Sequence, residues 1–162
     1  MKKQDILKMS SWDFDQSPEG WRKLSTTKDY IGATNLIKEY ISKNRKGIPN
    51  QTYKKKRVSL EIFHFHIGQL LASAGEKYWA EAIKEFRQSF QEGRKCWNAY
   101  VSATIGFLER NEKHIEDAIQ TIESLPQEDK KEGNLGIVKN FKKGLKIGLR
   151  DYEKVYSMPR EN

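Results

Sequence analysis

One segment of this chain repeats another, and that constrains the fold more than any other feature. At an offset of 36 residues, GEKYWAEAIKEF (Gly75–Phe86) lies over NEKHIEDAIQTI (Asn111–Ile122). Glu76/Glu112, Lys77/Lys113, Ala82/Ala118 and Ile83/Ile119 are identical, and Glu81/Asp117 and Phe86/Ile122 are alike in kind. The same offset sets Leu71 on Phe107, Ile67 on Ala103 and Gly68 on Thr104. It also places Gly75 and Asn111 at the turn, two residue types that tolerate the left-handed conformation in which helices end. Two consecutive helix-turn-helix units of about 36 residues are therefore expected over residues 50–126.

The rest of the chain also reads as helix, about seven in all. Ser17 as N-cap and Pro18 at the first helical position predict a short helix to about Leu24. A second helix starts near Thr27 or Lys28, with Tyr30, Leu36, Ile37, Tyr40 and Ile41 at helical spacing, and stops by Gly47. Phe63, Ile67, Leu70, Leu71 and Ala74 mark a third, ending at Gly75. Three more are expected over Glu76–Gln91 (Trp79, Ala82, Ile83, Phe86 and Phe90 inward), about Trp97–Arg110, and Glu112–Leu125, closed by Pro126. From Asn134 a final helix should run to about Ser157, with Ile137, Val138, Phe141, Leu145, Leu149, Tyr152 and Tyr156 on its apolar side. Lys139, Lys142, Lys143, Lys146 and Arg150 lie on the other side.

The third helix contains His-Phe-His, and there the fold decides the chemistry. Taken alone, Ile62–Ile67 alternates as a strand would, which would put His64 and His66 on one face, able to share a metal. On a helix the two lie about 200° apart and cannot. The apolar stripe continuing through Leu71 and Ala74, with no hairpin signal nearby, favours the helix. No metal and no cofactor is expected.

Composition narrows the class further. The chain has 162 residues, one domain's worth, and its aromatic residues anchor a core despite a charged fraction of 32%. Cys96 is the single cysteine, so no intramolecular disulfide can form. No run approaches the roughly 20 apolar residues that span a bilayer, and the first residues carry no signal-like apolar stretch. A soluble, cytoplasmic setting without a membrane partner is the expectation. Of the formal net charge of +8, residues 38–57 alone carry +7. Arg45 and Lys46 precede a Gly-Ile-Pro turn, and Lys54, Lys55, Lys56 and Arg57 follow it, with Tyr53 beside them as a stacking surface. Such a patch suits phosphates or an acidic partner, so nucleic-acid binding is the second functional expectation.

The order of small and large inward residues in IGQLLASAG, then Ala82 and Phe86, with a proline after the second unit, resembles tetratricopeptide repeats. Two extra residues lie between each turn and the following alanine, and His64 and Tyr100 stand where that family usually has Trp. FHFHIGQLLASAG and WNAYVSATIGFLERN also resemble a bacterial group of helical-repeat proteins of similar length, which carries no activity or site residues to transfer. The resemblance implies an all-α fold: an α-solenoid of stacked antiparallel helix pairs forming one domain over residues 1–162. Residues 1–49 would cap one end, helped by Trp12 and Phe14, and residues 132–158 the other. It further implies a concave face, lined by the first helix of each pair, that binds a protein or peptide. His66, Gln69 and Ser73 would face it in the first unit, and Asn98, Ser102 and Glu109 in the second.

Catalytic patterns are weak by comparison. There is no glycine-rich phosphate loop, nucleophile elbow or zincin motif. Asp13, Asp15, His64 and the tyrosines are the only raw material for an enzyme site. A non-catalytic binding module is the first expectation, and an enzyme with an unfamiliar site the third.

Overall fold

A computed structural model describes residues 2–49, 58–127 and 134–160. These residues form α1 (Lys3–Ile6), α2 (Ser11–Gln16), α3 (Trp21–Thr26), α4 (Tyr30–Asn44), α5 (Leu60–Ser73), α6 (Trp79–Arg87), α7 (Lys95–Leu108), α8 (Glu112–Ser124), α9 (Leu135–Lys146) and α10 (Tyr152–Tyr156), with no strand among them. The class is all-helical. The described residues hold more helical segments than the seven expected, because both ends are built from shorter pieces.

No periodicity announces α1 or α2, which are 4 and 6 residues long and too short to show a helical repeat. α2 nonetheless has a local cause. Ser10 caps it, accepting from the Asp13 amide at 3.1 Å and donating to the Asp13 carboxylate at 2.6 Å. Ser17, expected to start a helix, ends this one instead. Its amide donates to the Asp13 carbonyl and its hydroxyl accepts from the Glu19 amide, so the next helix begins only after Gly20.

The final helix, expected to run unbroken, stops after Lys146. Gly148 takes φ +73°, and the amides of Leu149 and Gly148 close back on the carbonyls of Gly144 and Leu145 at 2.8 and 3.0 Å. α10 then folds back onto α9. Gly144 is the point of contact, since a Cβ there would stand 2.6 Å from Val155 Cγ2. At the α7–α8 turn the left-handed residue is Arg110 (φ 59°), one position before the one expected. Asn111 is extended and caps α8, its side chain accepting from the His114 amide at 3.3 Å.

The middle of the chain is built from helices that double back on one another. Trp79 donates to the Ala72 carbonyl beside the turn, Phe86 packs on Gly68, and Glu85 reaches His64, so α6 runs back along α5. α9 runs back along α8 in the same way, with Lys142 on Glu116 and Lys139 on Glu123.

Aromatic clusters join these layers. Phe14 of α2 stacks on Tyr40 of α4 at 3.8 Å and meets Phe63 of α5 edge-on at 5.8 Å. Phe65 of α5 gathers Phe86, Trp97 and Tyr100 within 5.4 Å. Phe107 of α7 stacks on Phe141 of α9 at 5.3 Å, and Tyr152 of α10 packs behind it. α5 and α7 thus carry the core, while the end segments are held by rings inserted from outside. Phe14 serves in this way, but Trp12 is exposed. Phe90 is exposed too, because α6 stops at Arg87 before its side chain can turn inward.

Candidate functional site

A helical His-Phe-His sends its two imidazoles to different partners. His64 is half-buried, with Nδ1 2.6 Å from Glu85 of α6, and Lys38 of α4 stands 3.7 Å from the same carboxylate. His66 turns the other way. Its Nε2 lies 3.2 Å from Asp15 of α2, its Nδ1 lies 3.4 Å from Gln69, and its ring packs on Trp21 of α3 at 4.8 Å. Among the described residues no group of three or more His, Cys, Asp or Glu side chains could hold a metal ion.

Asp15 is the electrostatic centre of this corner. Its side chain is only 4% exposed, and Arg22 grips it twice, donating Nη2 to the carboxylate at 3.0 Å and Nε to the backbone carbonyl. Burial alone would raise the Asp15 pKa. His66 and Arg22 outweigh that and hold the carboxyl below its usual range. The Arg22 guanidinium also lies over the Trp21 ring, 4.4 Å from its centroid. Trp21 is therefore covered by a cation and an imidazole, and its position is fixed from several directions.

This corner forms one wall of a cavity of about 370 Å³ between α3, α5 and α10. His66, Gln69 and Ser73 line it from α5, one helical side at successive turns. Tyr152, Glu153 and Tyr156 line it from α10, and Tyr30 closes one edge. Glu153 accepts from the Tyr30 hydroxyl at 2.8 Å and pairs with Lys28 at 3.2 Å. Partial burial and that carboxylate push the Tyr30 phenol up to about 12.

Two polar groups of the lining are exceptions to the rule that buried polar atoms find partners. The indole N–H groups of Trp79 and Trp97 donate to backbone carbonyls at 3.2 and 2.8 Å, whereas that of Trp21 is buried with no acceptor. The hydroxyls of Tyr30, Tyr40 and Tyr100 donate to Glu153, to the Met9 carbonyl and to Tyr156. The Tyr152 hydroxyl is buried without a hydrogen bond of ordinary geometry, although Gln69 lies close enough to favour its ionised form against the larger upward push of burial.

The other residues expected at a groove lie elsewhere. Asn98 and Ser102 line a separate, shallower depression of about 330 Å³ between α7 and α8, with Asp117 and Thr121 opposite. Asn98 is also committed locally, accepting from the Gln91 amide and donating to the Gln91 carbonyl. Glu109, at the end of α7, pairs with Arg87 at 2.9 Å and approaches His114 at 3.6 Å. Arg45 and Lys46 are exposed on the 3-10 turn that follows α4. Lys54, Lys55, Lys56 and Arg57, with Tyr53, fall outside the described residues.

Against family models, curated proteins and solved structures alike, the sequence finds no match. The geometry of the cavity must therefore carry the functional reading. Its walls include residues that sequence patterns alone did not single out, namely Trp21 and Glu153, and Tyr30, expected only as part of an apolar stripe. No described helix is long and apolar enough to cross a membrane.

Proposed function

We propose that this chain is a non-catalytic protein- or peptide-binding module built as a short solenoid of tetratricopeptide-like helix pairs, acting in the cytoplasm. The repeat supports the architecture. Positions matched at the offset of 36 are buried in both units: Leu71 and Phe107, Trp79 and Ile115, Ala82 and Ala118, Phe86 and Ile122. In this reading α1–α4 cover one end of the stack and α9 the other, while α10 reaches back to α5 and meets the N-terminal helices through Tyr30 and Glu153.

One observation carries the functional half: His66, Gln69 and Ser73, the inner-face residues of the first unit, line an open cavity together with aromatic side chains. At about 370 Å³ it lies within the range of ligand pockets, roughly 300–1,000 Å³, and suits a single anchoring residue. Mixed aromatic and hydrogen-bonding walls are the usual makeup of a peptide anchor pocket. Peptides selected from a display library on the immobilised full chain test this. Against Ser73→Trp, which fills the cavity, they are expected to bind at least about tenfold more weakly, with the melting temperature unchanged. Peptides that bind this variant as tightly as the parent would place recognition elsewhere.

Binding of nucleic acid or another polyanion is the second reading, and the charge gathered in residues 38–57 favours it. α9 adds little, because Lys139 and Lys142 are already paired with Glu123 and Glu116. This reading requires retention on nucleic acid at low salt and a steep loss as salt rises. A chain that flows through at low salt removes it.

A further inference from the structure

We propose that the chain carries a stand-in for its own partner: residues 151–160 lie as a resident peptide in a groove between α9 and α7, and a partner peptide of the same chemistry takes their place. That chemistry is a short helix with aromatic side chains at positions i and i+4 and an aliphatic one at i+3, supplied here by Tyr152, Tyr156 and Val155. The inference rests on the peptide-binding reading and adds the class of ligand and its regulation.

The groove takes a main chain at close range. Gly136, Asn140 and Gly144 stand one turn apart on a single face of α9, and the segment runs antiparallel along them. Val155 sits on Gly144, the Met158 carbonyl accepts from Asn140 Nδ2 at 2.9 Å, and Arg160 packs on Gly136, where an added Cβ would stand 3.0 Å from the Arg160 Cβ. Asn140 is 3% exposed, so its amide is a buried donor aimed at a main-chain carbonyl, a contact that any sequence satisfies. α7 supplies the other wall: Phe107 lies 6.4 Å from the Tyr152 ring, and the Tyr100 hydroxyl donates to that of Tyr156 at 3.4 Å. Side-chain contacts then set the preference, and the main-chain contact fixes the register.

Three features separate this segment from a fixed core helix. α10 has 5 residues, too few to stay helical unaided, so the groove holds it in shape. α9 ends without its help: the amides of Ile147, Gly148 and Leu149 close on the carbonyls of Lys143, Leu145 and Gly144, and Arg110 holds the Leu149 carbonyl at 2.7 Å. The segment can therefore swing away beyond Leu149 while α9 keeps its cap. Its grip is also one-sided. Towards α9 it is in close contact, whereas towards α5 the same Tyr152, Glu153 and Tyr156 border the cavity of about 370 Å³. On that side Glu153 accepts from Tyr30 and pairs with Lys28, an exposed ion pair of the kind that adds little.

Fluorescence anisotropy of a labelled peptide with the sequence of residues 149–160, added to the full chain, tests the assignment. The tether holds the resident segment at a roughly millimolar effective concentration, so the parent chain is expected to bind the added peptide weakly. Val155→Asp in the chain expels the resident segment and leaves the groove intact, and it should tighten binding at least about tenfold. Tyr156→Ala, at a half-buried position that costs the fold less, should tighten it several-fold. Adding Gly144→Leu to either variant fills the track and should abolish the gain, as should Val155→Asp in the peptide. If either chain variant keeps its helical circular dichroism yet binds no better than the parent, the inference is overturned, and binding indifferent to Gly144→Leu overturns it too. A parent dimer in sedimentation that Gly144→Leu dissolves would overturn the partner and assign the groove to a second copy. In any of these events, display-selected peptides that bind the parent and depend on Ser73 would leave the peptide-binding reading standing.

Discussion

Asp15→Asn is expected to cost the fold roughly 3 kcal/mol, the low end of what removing one partner of a buried ion pair does. The carboxylate is nearly inaccessible and holds Arg22 and His66, so its loss leaves a partly exposed guanidinium and a largely buried imidazole facing a neutral amide. The effect stays at the low end because Arg22, 39% exposed, can turn partly back to water. The same group sets an acid limit on stability. Its folded pKa is depressed below the ordinary carboxylate value, so its contribution is fully present above the unfolded pKa of about 3.9 and is lost as pH falls through the folded value. Denaturant melts of the parent and Asp15→Asn should therefore differ most near neutrality and converge as the pH drops toward 2. A difference that stayed constant down to that pH would mean the ionised carboxylate is not what holds α2 and α3 on α5.

How far the sequence discloses such a feature depends on the distance over which the cause acts. Helical periodicity is local, and it places α4 through α8 close to where they lie, including the correct choice of helix over strand for His64 and His66. Capping is also local, and the Ser10–Asp13 box that makes α2 was open to reading. What lies beyond reach is pairing across the chain. His66 meets a carboxylate 51 positions earlier, and Tyr30 donates to Glu153 across 123 positions. Neither partner can be inferred from spacing. The break after Lys146 falls between these cases. Gly144 and Gly148 signal weak helix, but only the close approach of Val155 to Gly144 explains why the chain turns there. The cavity has the same mixed origin: its α5 wall follows from the repeat, and its other walls come from the ends of the chain.

Phe107→Ala should cost about 3–5 kcal/mol, the usual range for emptying a large buried aromatic site. The ring is fully buried, stacks on Phe141, and lies 5.9 and 6.4 Å from Trp79 and Tyr152, so no single neighbour can collapse into the space. How that loss spreads through the chain tests the proposed stack. In a solenoid each unit contacts only its neighbours, and stability is close to a sum of local and nearest-neighbour terms. Hydrogen exchange of the variant should then show the amides of α9 and α10 opening much faster, because Phe107 stacks on Phe141 of α9 and packs beside Tyr152 of α10. Those of α4 and the first half of α5 should keep most of their protection, held by the separate cluster of Phe14, Tyr40 and Phe63. Leu71→Ala, the matching position of the first unit, should shift the zone of faster exchange toward α5 and α6. Uniform loss of protection from either variant would mean that one cooperative core unites the whole chain, and the helix pairs would then not behave as repeats at all.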